Sequence, residues 1–328
     1  MTFKNLSITI ILAFSAVSVF GQYSQLKDTS KNEYPYVLPI MGKKVHEKGF
    51  DIPYPVGIML NNFYAKQDVN IDEISVGFKD GLLPEIPLTD ITEIMDFKTV
   101  SSQALSINVR PDVWILPFLN VYGIFGKAWS TTLVEISAPI NLKAEANLEG
   151  VSYGFGTTGA FGLGKIFVVL DGNWVWTDMS NFEKPVRSSV FSFRFGKTFK
   201  LKKPDKNFAF WIGGMRIKLD NITEGSIILK DVLPAETWDK RDELVDNYYQ
   251  WYDGLKPLDP KKVLADKVLT PIVEKLSEAD DNGTVTYKLD KSPKQEWNMI
   301  IGGQYQINKA WQIRAEEGVI GNRKSALL

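Results

Sequence analysis

Six ionisable residues stand in stretches where apolar side chains alternate with small or polar ones: Arg110, Asp171, Arg194, Arg216, Arg314 and Glu316. Arg194 shows the pattern best. Phe191, Phe193 and Phe195 fall on one face of an extended segment and Ser192, Arg194 and Gly196 on the other, because successive strand residues point to opposite sides. A charge interleaved with the largest aromatics predicts a sheet with oil outside and water within. Arg or Lys turned toward lipid near the midplane would cost about 2–4 kcal/mol, whereas a polar barrel lumen tolerates it. Gathered inside a barrel, these six residues would form one of two things. One is a constriction that selects anions or small polar solutes; the other is a salt-bridged filling, favoured at about 8 to 12 strands because only much wider barrels leave a general aqueous channel.

Other chemistry is sparse. The chain has no cysteine and one histidine, His46, which excludes disulfides and thiolate catalysis. His46 lies in the polar segment Gly42 to Gly49 with no local serine pattern, so no catalytic group is assigned and the chain is not read as an enzyme. Glu278 to Gly283 resembles a calcium loop only loosely, because Leu289 occupies the position of the closing glutamate. The glycines between Gly154 and Gly164 are not followed by a helix and do not suit a phosphate cradle. No metal and no cofactor are expected. A net charge of −1, with no basic stripe, argues against nucleic acid as a partner.

The elements that must position the six residues come in pairs. Alternating runs occur at 99–110, 113–126, 151–163, 166–177, 191–196, 209–218, 298–306 and 311–316. Turns are read at Pro111-Asp112, Gly164-Lys165, 200–206 and Asn308-Lys309, and longer connections at 65–98, 127–147, 178–185 and 219–294. Weaker strand candidates at 56–64, 71–78, 131–136 and 284–289 raise the count from about 8 toward 12. In the segment after residue 207, Ala209, Trp211, Met215 and Ile217 are read as facing lipid, opposite Arg216 and Lys218. Trp129, Trp174, Trp176, Trp297 and Trp311 fall near strand ends, as interfacial girdles require. A soluble β-protein would show an outer face rich in Lys, Glu and Thr. Here the non-apolar faces are Gly, Ser, Asn, Gln and isolated Arg.

The long interval 219–294 breaks the pattern. Asp259-Pro260 is a helix start with a capping side chain and proline at the first helical position. Val263, Leu264, Val268, Ile272, Val273 and Leu276 follow at helical spacing, and Pro271 should kink or divide this helix. Upstream, Trp238, Val245, Tyr248, Tyr249 and Tyr252 share a helical face that ends at Gly254. Two amphipathic helices on one connection could cap a pore, pack on each other, or dock another envelope protein through Trp238, Tyr249 and Tyr252. Residues 1–21 read as a signal peptide: Lys4 leads an apolar run from Leu6 to Phe20, and Gly21 precedes Gln22. The organisation expected is therefore a signal peptide at 1–21, a periplasmic or plug segment at 22–54, and a barrel at 55–328.

The run Asp112 to Gly123, the strand end Asn173 to Asp178, and a leader ending in Gly21-Gln22 together resemble outer-membrane barrel proteins of Bacteroidota and other Gram-negative bacteria. The resemblance spans roughly 53–328 and implies only fold and location. Such barrels usually end in a strand with a terminal aromatic, whereas this chain stops at Ala326-Leu327-Leu328; either the closing strand is short and atypical or the sequence is truncated there. The resulting expectation is an all-β fold: an antiparallel transmembrane β-barrel of about 8 to 12 strands in the outer membrane, with a helical insertion in one long loop. Its expected role is that of a narrow channel or small-solute transporter. A non-transporting interaction protein and a membrane-embedded lipid hydrolase are the alternatives.

Overall fold

The computed structural model describes residues 34–50, 52–79, 85–180, 182, 184–203, 205–219, 222–229, 240–278, 283–321 and 323–328. The signal segment 1–21 and Trp238 lie outside them. The strands are β1 (Val56–Lys79), β2 (Ile86–Asp90), β3 (Asp96–Leu116), β4 (Leu119–Ala138), β5 (Leu142–Leu163), β6 (Ile166–Met179), β7 (Val186–Lys200), β8 (Asn207–Leu219), β9 (Ile222–Ile228), β10 (Thr284–Pro293), β11 (Trp297–Gln306), β12 (Gln312–Ile320) and β13 (Arg323–Leu327). Among the described residues three α-helices accompany them: α1 (Gly42–Glu47), α2 (Arg241–Asp253) and α3 (Pro260–Ser277).

Ten strands close an antiparallel barrel in the order β1-β3-β4-β5-β6-β7-β8-β11-β12-β13, and β13 pairs back onto β1 from Phe63↔Leu327 to Gln67↔Arg323. Its outer surface is apolar. On β6 the outward run from Ile166 to Trp176 covers ten residue steps; at about 3.3 Å each and a tilt of roughly 40° it spans about 25 Å, the height of a hydrocarbon band. Phe191, Phe193 and Phe195 continue the band on β7, each exposed. Aromatic rings edge it: Phe155 stacks on Trp174, Tyr153 on Trp176, and Trp297 meets Phe191 and Phe193. Trp311 is exposed at the opposite end, beside the short turns.

Three expectations need correction. β3 does not turn at Pro111. It runs through to Leu116, with Val109↔Phe125 and Asp112↔Tyr122 in one register on either side of the proline, and the turn falls at 117–118. Proline withholds a single ladder N–H, which the strand tolerates without ending. Nor is 127–147 a loop: β4 and β5 pair continuously from Lys127↔Val151 to Ile136↔Leu142. Likewise, much of 65–98 is strand. Beyond the lipid both faces meet water, so the alternation fades while the backbone pairing persists.

The third correction concerns β8. Phe193↔Gly214, Phe195↔Ile212 and Phe191↔Arg216 are cross-strand partners, and partners share a face. Phe208, Phe210 and Ile212 therefore meet lipid, while Ala209, Trp211, Met215 and Ile217 are buried inside. Arg216 is on the outer face. The strand is apolar on both sides, so alternation alone does not fix its orientation, and the face read as lipid-facing is the inner one.

β1 outlasts the barrel. Above Gln67 its neighbour changes from β13 to β10, beginning at Val69↔Pro293 and reaching Lys79↔Thr284, and β9 and β2 complete a small outer sheet. A bulge between Ile71 and Glu73 moves the inward positions of β1 from odd numbers, Phe63 to Ile71, to even ones, Ile74, Val76 and Phe78. On β10, Pro293, Lys291 and Leu289 line the bore, and Val285, on the same face, joins a core with Val76, Phe78, Ile91, Ile94, Leu229 and Val268 of α3. The helices therefore sit on the inner face of the extension, over the bore. The side chain of Asp259 caps α3 by accepting from the Lys261 N–H at 2.9 Å, and the helix continues through Pro271. Tyr248 is fully buried between the helices and shares a hydrogen bond with the Thr270 hydroxyl at 2.7 Å.

Candidate functional site in the barrel bore

The bore is stacked in layers, because each inward strand position contributes one side chain per two residues. Nearest the short turns, Trp114, Phe167 and Trp211 with Ala160, Val169 and Ala209 form a buried apolar layer. Above it lies an ionic layer. Arg194 donates to both oxygens of Glu316, Nε to Oε2 at 2.5 Å and Nη2 to Oε1 at 2.9 Å, and its Nη1 is ion-paired with Asp171. Such fork-on-fork pairing is the strong form of the arginine–carboxylate bond. Glu316 also accepts from the Trp211 indole at 2.8 Å and from Arg314 at 3.4 Å, while Arg314 lies over the Trp211 ring. Asp171 accepts from the Ser192 hydroxyl at 2.7 Å.

Arg110 reaches the same layer from β3, donating to Asn108 at 2.9 Å and to Asn173 at 3.5 Å. The Asn173 side-chain oxygen also accepts from the Tyr122 hydroxyl at 2.9 Å. Asp112, held by Asn120 at 2.7 Å, borders the layer with Arg110, Arg194 and Arg314 around a chamber of about 40 Å³. Three guanidiniums thus meet three carboxylates, and the layer is balanced in formal charge.

Five of the six residues picked from the sequence converge here: Arg110, Asp171, Arg194, Arg314 and Glu316. Arg216 does not. It pairs with Glu296 on the outer face, Nε to Oε2 at 2.7 Å, and both side chains are half exposed. Asp112 and Trp211 were not foreseen as members. Asp112 sits in the segment read as a turn, and Trp211 on the face read as lipid-facing. Arg323 was missed as well; almost fully buried, it donates to the carbonyls of Met215 and Glu296 at 3.0 and 3.1 Å. Its strand is five residues long and carries no alternation to read.

Above the ionic layer the bore opens into a cavity of about 320 Å³ with mainly apolar walls, floored by Arg110, Asp171, Arg194 and Glu316. Of the residues read as partner anchors, Tyr249 and Tyr252 are among the described ones, and both make contacts within the chain. Tyr252 donates to Asp266 and lies under Lys262, 4.2 Å from the ring centre, and Tyr249 contacts the rings of Tyr248 and Tyr252. His46, in α1, stands against Tyr34 with ring centres 5.6 Å apart. That segment is tied to the short-turn end, where the Ile40 N–H donates to the Ile115 carbonyl at 2.8 Å. Among the described residues, no group of three or more His, Asp or Glu is arranged to hold a metal ion.

A closed antiparallel wall with an apolar exterior of membrane height and ion pairs inside defines a membrane-spanning β-barrel of the outer-membrane class. No family model matches the chain, and no curated protein does. Among solved structures, the β domain of the Bordetella autotransporter BrkA shares 8% identity over 84% of this chain and 98% of its own, with a TM-score of 0.29. An outer-membrane channel from Pseudomonas putida F1 shares 9% identity over 84% of this chain and 96% of its own, with a TM-score of 0.25. Likenesses this loose say nothing of function.

Proposed function

We propose that the protein is a narrow, gated small-solute transporter of the outer membrane. The observation that carries this reading is the cavity that ends on the Arg194–Asp171–Glu316 layer. Between a solute held above that layer and the short-turn end lie the ionic layer and the apolar layer of Trp114, Phe167 and Trp211. A ten-stranded barrel is close to the width that side chains fill, so passage requires the ionic layer and the Trp211 indole to rearrange. Long connections face outward and short turns inward in bacterial barrels, which orients the cavity toward the cell exterior.

The test is conductance in planar bilayers. Wild-type protein should show rare, small steps. Arg194→Ala removes the bridge, and Trp211→Ala removes the ring beneath it; each should give larger and more frequent steps. Heat-modifiable migration on a gel verifies that each variant retains the barrel. If both variants keep the barrel and neither conducts, the transport reading is wrong.

A further inference from the structure

The cavity above the ionic layer has the wrong walls for a simple aqueous pore. A water-filled barrel lumen is polar, yet Phe63, Val190, Met215, Ile217 and Ile300 all turn inward around this space. Its volume of about 320 Å³ falls at the lower end of the range for small-molecule sites, which are mostly apolar with a few placed polar groups. Along β1 the lining runs from Phe63 to Ile71. Eight residue steps at about 3.3 Å, tilted by roughly 40°, give a depth of about 20 Å. The space is long and suits a chain better than a compact solute.

One cation is placed at its upper end. Lys291 on β10 pairs with Ile71 in the register of the outer sheet and lines the cavity. Among the described residues its ammonium makes no hydrogen bond and no ion pair, unlike the guanidiniums of the floor, which are bound to carboxylates and amides. Burial lowers its pKa, and no neighbouring carboxylate offsets the effect. The Lys291 side chain is only partly accessible; an ammonium drawn out of water without a counter-ion is costly, and one positive charge matches one negative charge.

We propose that the upper bore binds a single-chain amphipathic monoanion of the fatty-acid type. Its alkyl chain lies against Phe63, Val190, Met215, Ile217 and Ile300, and its carboxylate pairs with Lys291 beneath the helical cap. On the floor Arg194 is committed to Glu316 and Asp171, and Arg110 donates to Asn108 and Asn173 within a layer already balanced in formal charge, so the head lies at the mouth and the tail points inward. This names a substrate class for the transport reading and rests on that reading only for passage. Binding can be measured without it.

The experiment uses the full chain in phosphatidylcholine nanodiscs, titrated with radiolabelled laurate and corrected against empty discs. Wild type should bind laurate saturably at one site and at least tenfold more tightly than dodecanol. Lys291→Met should remove that preference, Lys291→Arg should keep it, and Met215→Trp, which fills the cavity, should reduce saturable binding at least tenfold. Each variant is checked for the heat-modifiable barrel. The proposal is overturned by uptake no greater than in empty discs, by equal affinity for laurate and dodecanol in wild type, or by binding unaffected in both Lys291→Met and Met215→Trp. Laurate binding in a protein whose opened variants do not conduct would keep this site and discard transport.

Discussion

Arg194 and Arg216 are both strand arginines with a carboxylate in reach, and their surroundings give them opposite weights. Arg194 is 5% exposed and holds two acids. Replacing it with Ala strands Asp171 and Glu316 inside the wall, and breaking a buried pair by removing one partner costs about 3–5 kcal/mol. Arg216 and Glu296 are 43% and 41% exposed, and pairs of that kind contribute about 0–1 kcal/mol. Urea unfolding of the two alanine variants should therefore separate widely, with Arg194→Ala far down and Arg216→Ala close to wild type; equal losses would show that the ionic layer adds nothing to the barrel. That five of these side chains meet was legible because each sits opposite large apolar residues on its own strand. Arg216 was not legible: Phe208, Phe210 and Ile212 are as apolar as Ala209, Trp211 and Met215, and only pairing with β7 decides which set meets lipid.

Among the elements, the strands under lipid were readable and those beyond it were not. Alternation in β5, β6 and β7 is imposed by oil on one side, whereas the upper parts of β4 and β5 carry Thr131, Thr132, Glu145 and Asn147 and read as loop although they pair residue for residue. The helical pair was visible in outline from the Asp259 cap and the spacing of Val268 and Leu276. What covers it was not, since the bulge that keeps the inner face of β1 in phase leaves no mark in composition. The pair also carries a pH dependence. Burial pushes the Tyr248 hydroxyl up to about 12, against about 10 in an unfolded chain. The folded state keeps a proton that the unfolded state releases. Docking is thus at full strength below about pH 10 and weakens as pH rises toward about 12. Helical circular dichroism followed across that range should fall in wild type and fall less steeply in Tyr248→Phe; identical curves would remove Tyr248 as the cause.

At the scale of the whole molecule, the apolar belt is the property that commits the chain to a membrane. Phe193 lies at the middle of the β7 run, with Phe191 and Phe195 on either side and Lys197 at the lower edge, opposite Ile166. Phe193→Arg should destabilise the barrel by about 2–4 kcal/mol and Phe199→Arg by about 0–1 kcal/mol, following the depth dependence of charge in lipid; chemical denaturation in bilayers reads the difference. A flat response across the two positions would mean that this face does not see hydrocarbon. The wall also contains a splice. Along one edge β1 is joined first to the last strand of the chain and then to a strand that leads out of the helical cap. The lateral seam of the cylinder and the roof over its opening therefore hang on the same ribbon, so a displacement at the roof has a covalent path to the seam and needs no relay through the lipid or the bore.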